Sequence, residues 1–161
     1  MKDLNSYVNN FDLEKYLRFL EFTNPVLYLE SKLTSIDEMF QGENYVAVIL
    51  LNDENPTGIG HFVCLRKDTD DKYSYMDCLG EPVPDSLWRL FNKIEHNITI
   101  YSLEYPMMAL ENNICGKYCI QFCLSGMCSL HDFYHSLTQN KKYSADRVLN
   151  NLLQLNYERI V

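Results

Sequence analysis

The stretch "HFVCLRKDTDDKYSYMDCLG", His61 to Gly80, decides how the rest of the chain is read. "HFVCLRK" and "KYSYMDCL" carry the β-branched and aromatic residues of strands, and "DTDD" between them is a turn by composition. The two strands are therefore expected to pair as a hairpin. In a hairpin with a short turn, the start of the first strand lies beside the end of the second. His61 opens the first and Asp77 ends the second, so an imidazole and a carboxylate are expected to be neighbours at one edge of a sheet.

Working outward, "YVAVILL" (Tyr45 to Leu51) is a buried-strand candidate, joined to the hairpin by the loop "NDENPTGIG". Before it, "SIDEMF" predicts a short helix with Ser35 and Glu38 as a capping box. "DLEKYLRFLEF", with Leu13, Leu17 and Leu20 on one side, predicts a helix closed by Asn24-Pro25. After the hairpin, "DSLWRLFNKI" predicts an amphipathic helix with Asp85 as N-cap, and "ITIYSLEY" a fourth strand. A polar loop then leads into a helix from about Ile114 to Cys128, and "SADRVLNNLLQL" gives a capped helix near the end. This order predicts an α+β fold, a mostly antiparallel central sheet packed with helices, in a single domain over residues 1–161.

Composition narrows the function. The 161 residues suffice for a core without disulfide or metal staples. With 14 Lys and Arg against 22 Asp and Glu, the net charge of −8 argues against a general nucleic-acid binder. Lys141-Lys142 is the only basic cluster and is too short to change that. The polar start "MKDLNSYVNN" lacks the apolar segment of a secretory signal, and no apolar run is long enough to span a bilayer. A soluble, non-secreted protein is expected. Cys115, Cys119 and Cys123 recur every four residues and share a helix face, as small core residues in a reducing compartment do. "CGKYC" has a zinc-ligand spacing but no second pair to match it, so no metal and no cofactor are expected.

Cys115 is different from the other cysteines because it sits where the polar loop becomes a helix. Its neighbour Gly116 lets a substrate backbone approach. The unpaired N–H groups of the first helical turn favour a thiolate and can donate to an oxyanion. A reactive thiol needs a base, and the base needs an orienting group. His61 and Asp77 are the pair in reach of those roles. Their alternative readings are a surface histidine at a loop exit and a turn-capping carboxylate before Gly80. Cys64, Cys78 and Cys128 read as structural.

Together "GHFVCL", "YSYMDCLGEPVP" and "NNICGKYCIQF" resemble the adenovirus-type (adenain-like) cysteine proteases, relatives of the SUMO- and ubiquitin-like-protein proteases. The versions in virophages, polinton-like viruses and other large DNA viruses are the nearest in pattern. The resemblance covers roughly Tyr45 to Gly126. It implies a papain-like architecture and a triad of Cys115 as nucleophile, His61 as general base and Asp77 as its orienter. It implies capsid or other virion precursors as substrates, cut at glycine-containing sites, and a location in the host cytoplasm at virus factories or within the virion. An activating peptide fits the resemblance, whereas the charge speaks against DNA stimulation. Two positions depart from the pattern. Phe62 follows the histidine where Trp is usual, and Met108 and Ala109 stand where the family places an oxyanion-donating Gln. Asn112, Asn113 and Gln121 are the candidate replacements. Two alternatives accompany this reading: an isopeptidase acting on ubiquitin-like modifiers, and a catalytically silent binding module on the same fold.

Overall fold

A computed structural model describes residues 27–55, 60–109 and 114–160, except the side chains of residues 155–160. The helix expected around Leu13, Leu17 and Leu20 lies outside the described residues. Five strands form one sheet in the order of the chain: β1 (Leu27–Leu29), β2 (Val46–Leu51), β3 (His61–Thr69), β4 (Lys72–Met76) and β5 (Thr99–Ser102). Four helices accompany them: α1 (Asp85–Phe91), α2 (Cys115–Leu124), α3 (Leu130–Thr138) and α4 (Ala145–Ile160). The protein is α+β.

The sheet is mixed, which corrects the expectation of a mostly antiparallel one. β2–β3 and β3–β4 are antiparallel, but β1–β2 and β4–β5 are parallel. Chain connectivity explains the outer pairs. After β4 the chain crosses through α1 before β5, and a strand that returns by a helical crossover arrives parallel to the one it left. The central hairpin forms as expected, with Cys64 opposite Met76 and Arg66 opposite Ser74.

Alternation along the strands sends side chains into two separate cores. Val46, Val48, Phe62, Cys64 and Met76 meet Tyr118, Cys119, Phe122, Phe133 and Leu149 from α2, α3 and α4. Ala47, Ile49, Val63, Leu65, Tyr73 and Tyr75 meet Met39, Leu87 and Phe91 on the other face. Burial on both faces is why "YVAVILL" reads as an unbroken apolar run.

Arg66 joins β3 to the far end of α2. It is buried, donates from Nη1 to the carbonyls of Gly126 (3.0 Å) and Cys128 (2.7 Å), and pairs through Nε with Asp68 at 2.6 Å. Its guanidinium also lies 4.9 Å from the centre of the Phe122 ring. The helix that starts at Cys115 is thus pinned at its C-terminal end by a strand that starts at His61.

Candidate active site

Three backbone arrangements bring the candidate residues together. His61 begins β3 opposite Leu51 of β2. Gly60 before it packs so closely that a Cβ there would stand 2.9 Å from the Leu51 carbonyl oxygen and 2.5 Å from the Leu50 side chain. The strand start therefore lies against β2 only because residue 60 is glycine.

Asp77 follows β4 directly and is buried. Its Oδ1 accepts from Leu79 N–H at 2.9 Å, and its carbonyl accepts from Gly80 N–H at 2.9 Å. Gly80 has φ +68°, and a Cβ on it would meet the carbonyl carbon of Tyr105 at 2.6 Å. "DCLG" is thus a tight turn with an obligate glycine, and Asp77 does cap it. The same Oδ1 also lies 2.7 Å from His61 Nε2. One carboxylate oxygen thus serves both the turn and the contact with His61.

Cys115 is the first residue of α2, and its Sγ accepts from the Phe62 N–H at 3.5 Å, which places the thiol beside the start of β3. It engages the imidazole of His61 as well. The imidazole thus lies between carboxylate and sulfur. Burial alone would push the base down, but hydrogen bonds to Asp77 and Cys115 and their negative potential more than offset it, raising His61 to about 10. An imidazolium in this position stays charged through neutral pH. The side chains of His61 and Asp77 are 20% and 3% exposed, and Cys115 is 2% exposed.

The start of α2 lacks a side-chain cap on its N-cap residue, Ile114. Cys115 and Gly116 open the helix, so their N–H groups have no carbonyl four residues back within it. N–H groups at a helix start favour a negative charge close to them.

The oxyanion candidates are distributed unevenly. Asn112 and Asn113 lie outside the described residues. Gln121 is six residues down α2 from the thiol, about 9 Å along the axis and on a different face. Its Oε1 is buried without a hydrogen-bond partner among the described residues. Met108 is buried against the site: its Sδ accepts from Ile114 N–H at 3.2 Å and from the Cys78 thiol at 3.8 Å. A thioether there accepts and cannot donate. Ala109 N–H points away, to Asp146 Oδ2 at 3.2 Å.

That last contact belongs to an arrangement the sequence reading missed. Asp146, buried on α4, also accepts from Tyr118 O–H. It ties the segment before the nucleophile to the first turn of α2. Burial first, then the carboxylate, raise Tyr118 well above the ordinary tyrosine range. Tyr-Cys at 118–119 and Asp146 offer no local signal of such a link, because it spans two helices.

The remaining cysteines are free thiols. Cys64 donates to the Cys119 carbonyl at 3.7 Å. Burial, followed by contacts with Cys119 and Cys123, pushes Cys64 well up, and burial takes Cys119 to about 11. Thiols held neutral in this way are core residues, not nucleophiles. Among the described residues no helix is long and apolar enough to cross a membrane. In comparisons with known proteins, no family model matches the chain and no curated protein matches it significantly.

Proposed function

We propose that the chain is a cysteine endopeptidase with an adenain-like, papain-type architecture that matures virion precursor proteins. The observation that carries this reading is the His61 imidazole held between the Asp77 carboxylate and the Cys115 thiol, with the thiol at a helix N-terminus. As general base His61 holds the proton taken from the Cys115 thiol, and the thiolate of this ion pair attacks a peptide carbonyl. Asp77 holds the ring and offsets the charge of the imidazolium. N–H groups at the start of α2 receive the tetrahedral oxyanion. His61 then protonates the leaving amine, and water releases the acyl group from sulfur.

The near-complete burial of Cys115 suits a slim substrate backbone, in keeping with cleavage beside glycine. Capsid or other virion precursors are the proposed substrates, in the virus factory of the host cytoplasm or within the particle. A peptide activator fits this reading, and the −8 charge favours activity without DNA. The isopeptidase alternative shares the chemistry, and efficient labelling of Cys115 by a ubiquitin-family activity probe would favour it.

A second reading draws on Met108. With a thioether where the resemblance calls for a donor, a silent binding module on the same fold has a specific observation behind it. Two measurements separate the readings. Cys115→Ala should abolish cleavage of a co-expressed capsid precursor while leaving the fold intact, and unchanged processing would refute the nucleophile assignment. Iodoacetamide at neutral pH should modify Cys115 much faster than free cysteine. A rate equal to or below that of free cysteine would favour the silent module.

A further inference from the structure

The geometry points to a second use of the same corner: a site for a divalent cation of the zinc class, held by His61, Asp77 and Cys78, that excludes catalysis when filled. One ligand atom from each of these residues lies within 4.8 Å of the other two. Imidazole nitrogen, carboxylate oxygen and thiolate sulfur are the donor types zinc takes. Around a tetrahedral ion such atoms stand roughly 3.3–3.6 Å apart, so the cluster needs adjustments of about 1 Å. Asp77 and Cys78 are buried, which sets the group apart from the solvated acidic clusters common on surfaces. His61 is the partly exposed member and marks the side of entry. A solvent oxygen entering beside His61 would complete a tetrahedral set.

This set differs from the "CGKYC" spacing considered from sequence. Cys119 belongs to the buried group around Cys64, and Cys115 lies at the Phe62 N–H. Binding is a ligand exchange. Nitrogen, oxygen and sulfur each give an electron pair to the ion. The Cys78 thiol proton leaves to solvent, as does one ring proton where His61 is protonated, and nothing is oxidised or reduced.

His61 Nε2 is already bonded to Asp77 Oδ1 at 2.7 Å, and the imidazole also interacts with Cys115. An ion held by both His61 and Asp77 takes the place of the hydrogen bond between them. Cation binding and the catalytic arrangement are therefore mutually exclusive, and Cys78, which the reaction does not use, becomes the residue that makes the centre sensitive to zinc. Binding itself stands on the geometry, while its inhibitory consequence rests on the thiol-hydrolase reading.

The test begins with Cys115→Ala protein, which removes the competing thiol. Titrated with cobalt(II), it should take up one ion per chain and show a thiolate-to-cobalt charge-transfer band. X-ray absorption of its zinc form should find one sulfur neighbour beside nitrogen and oxygen. Adding Cys78→Ser should remove the band and weaken zinc binding at least about tenfold, no less than the loss of an outer partner costs elsewhere. A missing band, a band that survives Cys78→Ser, or two or more sulfurs would overturn the proposal, the last by placing the ion among Cys64, Cys119 and Cys123. With Cys115 intact, zinc should stop peptide cleavage reversibly, and Cys78→Ala should need at least about tenfold more zinc for the same effect. Equal sensitivity of the two proteins would overturn the regulatory claim. Absence of cleavage by metal-free protein bearing all its cysteines would instead count against the protease reading and leave the cobalt result standing.

Discussion

Asp77→Asn separates the two jobs of one side chain. An asparagine Oδ1 still accepts from Leu79 N–H, so the turn is kept, while the charge beside His61 is lost. In the wild type His61 sits at about 10 against an ordinary 6.5. A base raised on folding stabilises the folded state fully below its unfolded value, and that contribution is lost as pH rises through the folded value. Between pH 6.5 and 10 His61 itself holds about one proton more in the folded than in the unfolded chain, so its contribution to stability should fall by about 1.4 kcal/mol per pH unit. From pH 6.5 to 8.5 the expected loss is about 2–3 kcal/mol, before the ordinary titration of cysteine and tyrosine begins to dominate. In Asp77→Asn, burial works against the charged ring with less opposition, so the decline over that window should flatten. Urea unfolding at pH 6.5, 7.5 and 8.5 under reducing conditions measures the slope, and NMR titration of the His61 ring measures its cause. A wild-type stability that is level across the window, with His61 titrating near 6.5, would refute the ion-pair description of the site.

Cys115→Ala should lower the His61 titration below about 10, because the thiol is one of the groups raising it, yet leave it above that of Asp77→Asn; identical midpoints would show that the sulfur does not engage the ring. Gly80→Ala forces a side chain into positive φ and against the Tyr105 backbone, and should cost about 2–3 kcal/mol in urea unfolding, whereas a change below about 0.5 would contradict the described turn. Arg66→Met strands Asp68 and two carbonyls and should cost about 3–5 kcal/mol, measured by the same unfolding experiment, with a neutral result sinking the claim that this residue pins α2.

Where the sequence was informative, local chemistry did the deciding. The hairpin was legible because two β-rich runs flank an acidic turn, and pairing the runs brings the start of one near the end of the other, where the side chains of His61 and Asp77 meet. The Ser35 and Glu38 box was legible too: Glu38 N–H donates to Ser35 Oγ at 3.2 Å and Ser35 N–H to Glu38 Oε1 at 3.4 Å, although the segment is a single 3-10 turn, Asp37–Met39. Asp85 was misplaced by one position, since Pro84 is the N-cap and its carbonyl takes the Leu87 and Trp88 N–H groups. β1 has three residues, too few for a period to register, and its parallel pairing with β2 depends on contacts distant in sequence. No helix was singled out over residues 130–138, though "SLHD" holds the signal: Ser129 caps it by accepting from Asp132 N–H at 3.1 Å. Arg66 gave no warning, because a charged residue in a strand normally faces water and only the carbonyls at the end of α2 make its burial affordable.

The competition between a hydrolase and a silent fold comes down to why a charged pair is kept in this corner. The turn at Asp77 needs only an acceptor for Leu79 N–H, and a neutral asparagine supplies one without the cost of burying a carboxylate. The imidazole beside it likewise gains nothing for the fold that an apolar side chain at the start of β3 would not provide. Both charges make sense once Cys115 is included, because a thiolate at the tip of α2 needs a cation and that cation needs a carboxylate. Met108 weighs against this only at one step of the reaction. Its thioether takes the Ile114 N–H, not those of Cys115 and Gly116. Loss of a single donor elsewhere slows turnover by about 10²–10³, which yields a slow enzyme and not an inert one. Met108→Gln therefore discriminates. If the amide reaches the oxyanion, kcat should rise at least about tenfold with little change in KM, the mark of an interaction made only in the transition state. A variant that folds but gains no turnover would show that the backbone N–H groups, or a donor elsewhere, already serve that step.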